Sequence, residues 1–232
     1  MDRRDFLRTA VGSTVGMAMT GAIAGAARSA DPTLRRSAQT PAEALARLQE
    51  GNSRYVSGTS GSHNYSAEQL LRAEGQKPFA AILSCADSRV APELIFDAQP
   101  GELFVTRDAG NFLSSTATAS LEYGVAELAV VSIVVLGHSA CGAVSATISV
   151  LESGKALPGH LPELTDEIAP AVERVRKDPG SLLDNATASN VRLNVERIAK
   201  ADPILAPAVA SGKVSVVGAL YDISTGKVSF LS

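Results

Sequence analysis

Two apolar, β-branched runs set what this chain can fold into: F-A-A-I-L-S at Phe79–Ser84 and V-V-S-I-V-V-L-G at Val130–Gly137. Continuous apolar runs of this length, bounded by polar residues, are predicted to be strands covered on both faces. Further strands are predicted at Leu103–Arg107 and Val214–Leu220, with helical stretches at Ser115–Glu127, Gly142–Leu151, Leu161–Arg176 and Ser189–Lys200 between them. A last strand, Lys227–Phe230, follows the turn signal Ser224-Thr225-Gly226 and is placed on the sheet edge. The expected fold is α/β: a mostly parallel central sheet of four strands plus an edge strand, with helices on both faces. Ahead of it, Pro41–Ser57 has Ala44, Leu45, Leu48 and Tyr55 near helical spacing, with Thr40 as N-cap and Glu43 completing a capping box. That segment is expected to be an N-terminal helical arm, and a short helix is expected around Ala67–Glu74.

Each of the first two runs ends on a polar cluster. C-A-D-S-R (Cys85–Arg89) follows one and H-S-A-C-G (His138–Gly142) the other. In parallel sheets, ligands bind beyond the carboxyl ends of the strands, so both clusters fall on the functional rim. They contain the only two cysteines of the protein and one of its three histidines. Two thiolates and a neutral imidazole suit Zn²⁺, and three protein ligands with one exchangeable position is the pattern of catalytic zinc. Cys141 starts a helix whose positive end favours a thiolate, and Gly142 is expected to let the backbone pass close to the metal. Asp87 decides the character of the site. If Arg89 clamps its carboxylate by a bidentate pair, Asp87 stays off the metal and can accept a hydrogen bond from zinc-bound water. A disulfide between Cys85 and Cys141 is the alternative for the thiols, and a simple turn cap is the alternative for Asp87 with Arg89.

The first thirty residues read as a removable segment. D-R-R-D-F-L-R (Asp2–Arg8) precedes a weakly apolar stretch, Val11–Ala27, with small-residue cleavage candidates at Ala24-Gly25-Ala26 and nearer Ala30. This resembles a twin-arginine export signal. A membrane anchor is the competing reading, but the stretch is short and interrupted by Gly, Ser and Thr. The expected organisation is therefore a signal peptide, 1–30, and a single zinc-binding domain, 31–232. The location expected is periplasmic or secreted, with export in the folded state and no stable membrane anchor after cleavage. The formal net charge is −3, with acids and bases interspersed, so no basic stripe points to nucleic acid.

C-A-D-S-R-V, P-G-E-L-F-V-x-R, H-S-A-C-G-A-V and a C-terminal Y-D-x-x-T-G together resemble the β-class carbonic anhydrases, over a match that runs from about Pro41 to the end. The resemblance implies Cys85, His138 and Cys141 as ligands of one Zn²⁺ per subunit, and Asp87 with Arg89 as the catalytic dyad. It implies a zinc lyase that hydrates CO2 reversibly to bicarbonate and a proton through a zinc-bound hydroxide, as a homodimer or higher homo-oligomer. Gln76, Phe104 and Tyr123 match groups lining the CO2 pocket, and Ala109 takes a position where the family often has a larger apolar residue. One subgroup closes its site when bicarbonate fills a pocket of Trp, Arg and Tyr. Arg107 matches that arginine, but the tryptophan position holds Ile82 and the chain has no Trp. An open site, not gated by bicarbonate, is expected.

His63 and His160 lie in surface-loop sequence, where a proton-relay role competes with simple exposure. Three other functions are weighed against CO2 hydration: the same chemistry on COS or CS₂, a structural zinc module with Asp87 as fourth ligand, and a thiol redox protein. A dedicated clamp on Asp87 argues against the second, and the lack of a C-x-x-C pair against the third.

Overall fold

A computed structural model describes residues 38–62, 73 and 75–231. The expected signal peptide, His63, and all of the Ala67–Glu74 helix except Ala73 lie outside the described residues.

The elements run α1 (Pro41–Val56), β1 (Ala80–Cys85), α2 (Pro92–Ile95), β2 (Leu103–Asp108), α3 (Ser115–Ala126), β3 (Ser132–His138), α4 (Gly142–Ser153), α5 (Leu161–Val175), α6 (Leu182–Ala199), α7 (Leu205–Ala210), β4 (Ser215–Tyr221) and β5 (Val228–Phe230). The sheet order is β2-β1-β3-β4-β5. Its first four strands are parallel and β5 is antiparallel to β4. The predicted four-stranded parallel core with an added edge strand is therefore present.

Side-chain alternation divides β1 between two layers, because successive residues of a strand face opposite sides. Ala80 and Ile82 pack with Ala44 and Leu48 of α1 and with Ile95 and Phe96. Ala81 and Leu83 pack on the other face with Ala117 and Leu121 of α3, Val191 and Ile198 of α6, and Leu205 of α7. All of β1 and β3 is buried, which is why these strands read as unbroken apolar runs.

α1 starts where its cap dictates: Thr40 Oγ1 accepts the Glu43 amide at 3.2 Å. The reciprocal half of the box is shifted by one residue, since Glu43 Oε2 accepts from the Gln39 amide at 2.9 Å. The helix lies so close to the end of α2 that a Cβ on Gly51 would sit 1.9 Å from the Phe96 carbonyl oxygen. Only glycine fits that crossing. α6 begins earlier than the expected Ser189, because Ser181 caps it through the Asp184 amide at 3.2 Å. Two short helices, α2 and α7, went unread in the sequence; four and six residues are too few to show periodicity.

The order β2-β1-β3 means the chain leaves β1 to one side and returns to add β3 on the other. The crevice between the carboxyl ends of β1 and β3 is thus a topological switch point. Cys85 is the last residue of β1 and His138 the last of β3.

Candidate metal centre

Cys85 and His138 arrive on neighbouring strand ends, and Cys141 follows as the N-cap of α4. One ligand atom from each lies within 4.8 Å of the others, and all three residues are buried. Neither cysteine is in a disulfide. His138 Nδ1 is 2.9 Å from the Ser139 carbonyl oxygen, so Nδ1 carries the proton and Nε2 is left with a free lone pair. That Nε2 is buried with no hydrogen-bond partner. An orphaned imidazole nitrogen facing two thiols has no structural explanation, but it completes a zinc donor set. The residues present fit the ion.

Electrostatics agree. The neighbouring Cys141 thiol pulls the Cys85 pKa down against the cost of burial, helped by His138 and by the amides of Gly110 and Asp87. Those amides lie 3.2 Å and 3.4 Å from Cys85 Sγ. Cys141 is pushed up, first by the neighbouring Cys85 sulfur and then by burial. Burial opposes protonation of His138, yet the Cys85 thiolate, the Ser139 carbonyl and Asp87 together raise its pKa. The opposite shifts favour one negative charge on the thiol pair, and a bound ion would favour the second.

The Asp87 carboxylate is gripped three times by Arg89: Nε to Oδ1 at 3.0 Å, Nη2 to Oδ2 at 2.7 Å, and the Arg89 amide to Oδ1 at 2.9 Å. Arg89 holds the carboxyl well below the usual range, against the opposing effect of burial. Arg89 Nη2 also reaches the Ala140 carbonyl at 3.4 Å, tying the two clusters together. Asp87 Oδ2 is 3.9 Å from His138 Nε2, so the carboxylate faces the ligand cluster while Arg89 restrains it.

Arg107, at the end of β2, donates from Nε to the Cys85 carbonyl at 3.0 Å and from Nη2 to the Asp87 carbonyl at 2.7 Å. Its guanidinium braces the loop that carries one ligand and the dyad acid. Ala140 holds a left-handed φ of 53°, rare for alanine, between His138 and Cys141. Gly142 opens α4 directly after Cys141, and a Cβ there meets no protein atom within 4 Å.

The pocket residues are more scattered. Phe104 is half-buried and Tyr123 exposed, with ring centroids 6.1 Å apart. Gln76 is exposed and Ala109 half-buried just after β2. His160 is exposed at the start of α5, paired with Glu163 at 3.1 Å. Missed in the sequence were the contributions of Gly110, Asn190 and Asn194 around Cys85. The available signal was the spacing of two asparagines four apart on one face of the predicted helix Ser189–Lys200.

Residues 80–228 match the family described as carbonic anhydrase. A carbonic anhydrase 2 of Mycobacterium tuberculosis is 37% identical over 188 residues, covering 81% of this chain and 91% of that protein. A carbonic anhydrase of Mycolicibacterium smegmatis is 34% identical, covering 83% and 94%. Among solved structures, a Coccomyxa β-carbonic anhydrase in complex with acetazolamide superposes with a TM-score of 0.64 at 30% identity, covering 81% of this chain and 86% of that one. One of two tetrameric β-carbonic anhydrases from Sordaria macrospora gives 0.64 at 25% identity, covering 81% and 96%.

Proposed function

The chain belongs to the carbonic anhydrase family, and from that premise we propose how its own residues carry out the reversible hydration of CO2 to bicarbonate and a proton. The cofactor is zinc, held by Cys85, His138 and Cys141. Bound there, zinc would lower the pKa of a coordinated water to ~7 and so make a hydroxide nucleophile available at neutral pH. Asp87, kept ionised by Arg89, would accept a hydrogen bond from such a nucleophile and so orient it toward CO2. Arg89 restrains the carboxylate and would keep it from ligating the ion, and Arg107 fixes the loop on which Asp87 sits. Phe104 and Ala109 form an apolar wall for CO2. Gln76 supplies an amide hydrogen bond to a substrate oxygen, and Tyr123 closes the slot, in an oligomer that covers these exposed side chains.

The observation that carries this reading is the buried Cys85–His138–Cys141 cluster facing a carboxylate that Arg89 restrains. A structural zinc module would leave such a restraint without purpose. The site is proposed to be open at neutral pH and ungated by bicarbonate. Support comes from the missing tryptophan and from Arg107, whose Nε and Nη2 are already engaged by backbone carbonyls.

Residues 1–30 are proposed as a twin-arginine-type signal that sends the folded protein to the periplasm or outside the cell, on the strength of Arg3-Arg4 and the weakly apolar stretch behind them. Among the described residues no helix is long and apolar enough to cross a membrane. A homodimer or higher homo-oligomer is proposed from the tetrameric relatives and from exposed Tyr123, Leu94 and Leu161. Mass spectrometry of the secreted or periplasmic product tests the first, and light scattering tests the second.

Stopped-flow CO2 hydration by the zinc-loaded mature protein at pH ~8, against a metal-stripped control, tests the activity. Rapid zinc-dependent turnover is expected. Stoichiometric zinc with turnover no faster than the control would overturn the reading.

A further inference from the structure

α6 buries two asparagines four residues apart, Asn190 at 1% and Asn194 at 0% exposure. Asparagine is a poor helix former, and a buried amide is costly unless it is fully paired. Each side-chain nitrogen and oxygen of the pair has a partner, and each asparagine reaches the loop between β2 and α3 through one of them. Asn190 Nδ2 donates to the Gly110 carbonyl at 2.7 Å. Asn194 Oδ1 accepts the Leu113 amide at 2.8 Å. Asn194 Nδ2 donates to Asn190 Oδ1 at 3.1 Å and to the Asn190 carbonyl at 2.8 Å. A carbonyl only accepts and an amide N–H only donates, so these partners fix the orientation of both side-chain amides.

Gly110 is where this network meets the metal centre. Its carbonyl is held by Asn190, and its own N–H points at Cys85 Sγ from 3.2 Å. Its φ of 92° suits only glycine, and a Cβ would lie 2.5 Å from Ile168 Cδ1. A residue in that conformation keeps its amide aimed only if the surroundings hold it.

We propose that Asn190 and Asn194 are positioning residues for the metal centre, aiming the Gly110 amide at the Cys85 thiolate and so setting how tightly zinc is held. An N–H···S bond spreads the thiolate charge and fixes the direction of its lone pairs, and loss of such outer partners typically weakens a metal site 10- to 100-fold. The inference rests on the zinc reading of Cys85, His138 and Cys141.

The test compares Asn190→Ala and Asn194→Ala with Ile198→Val, which trims the same helix without touching the amide pair. Zinc affinity is measured by chelator competition, and the sulfur-to-metal charge-transfer band is recorded for the cobalt-substituted protein. Both asparagine variants are expected to bind zinc about 10-fold more weakly or worse, with a shifted cobalt band, while Ile198→Val keeps wild-type values of both. Folded asparagine variants with wild-type affinity and band position would overturn the positioning role. If neither variant folds, the wild-type protein loaded with ¹¹³Cd decides: a scalar coupling between the Gly110 amide proton and the metal is expected, and its absence defeats the proposal. Failure of the wild-type chain to bind zinc at all would instead defeat the zinc reading.

Discussion

Arg89 touches Asp87 through three hydrogen bonds, yet its own side chain is half exposed. Its work is therefore restraint rather than burial of charge. Arg89→Ala is expected to keep stoichiometric zinc while activity falls by about 10²–10⁴-fold, the range associated with losing a positioned acid–base group. Zinc analysis beside stopped-flow assays checks it, and full activity in the zinc-replete variant would refute the clamp. The backbone at the site also carries local cost. Ala140 sits at φ 53°, so Ala140→Gly should be tolerated and should raise stability by up to ~1 kcal/mol. Gly110→Ala should do the reverse, because the new methyl meets Ile168 at 2.5 Å in a conformation alanine resists. Thermal melts of the two variants, expected to move in opposite directions, decide this. Cys85, Asp87, Arg89, His138 and Cys141 were legible in the sequence because their chemistry is carried within two short stretches. Ala140 was not, since nothing in the letters H-S-A-C-G says which residue must turn left-handed.

At the scale of elements, α1 is attached to the sheet through one residue as much as through its apolar stripe. Asn52 Nδ2 donates to the Ile95 and Gly226 carbonyls at 3.1 Å and 2.9 Å, and Oδ1 accepts the Val228 amide at 2.8 Å. Asn52→Ala leaves three groups without that partner and should cost about 2–4 kcal/mol. Urea denaturation measures the loss, and a change under ~0.5 kcal/mol would show that α1 is held by packing alone. The strands were readable as apolar runs and most helices from their period. The start of α6 was not, because Leu182–Ala188 mixes Leu, Asp, Asn, Ala and Thr with no clear period; only the Ser181 cap marks it. Ser181→Ala should remove that start signal at a cost of ~1 kcal/mol.

Over the whole molecule, metal and fold are coupled through protonation. Zinc needs two thiolates and a neutral imidazole, whereas the metal-free protein keeps Cys141 protonated and raises the pKa of His138. Cys85 is already shifted toward thiolate and contributes little. Zinc uptake near pH 7 is therefore expected to release roughly one to two protons, and affinity should rise with pH. A dye in weak buffer reads the release, and uptake without protons would contradict this account of the thiol pair. By itself the sequence determined the strands, the α/β class, the two clusters and the family, because apolar runs, caps and short motifs are local and survive without the rest of the chain. The tertiary structure alone decided the sheet order, the bracing of the Cys85 loop by Arg107, and the meeting of Asn190 with Gly110, residues 80 apart in the chain. Those contacts depend on the register of β1 against its neighbours and on how α6 packs across the sheet, and no stretch of sequence contains both halves of them.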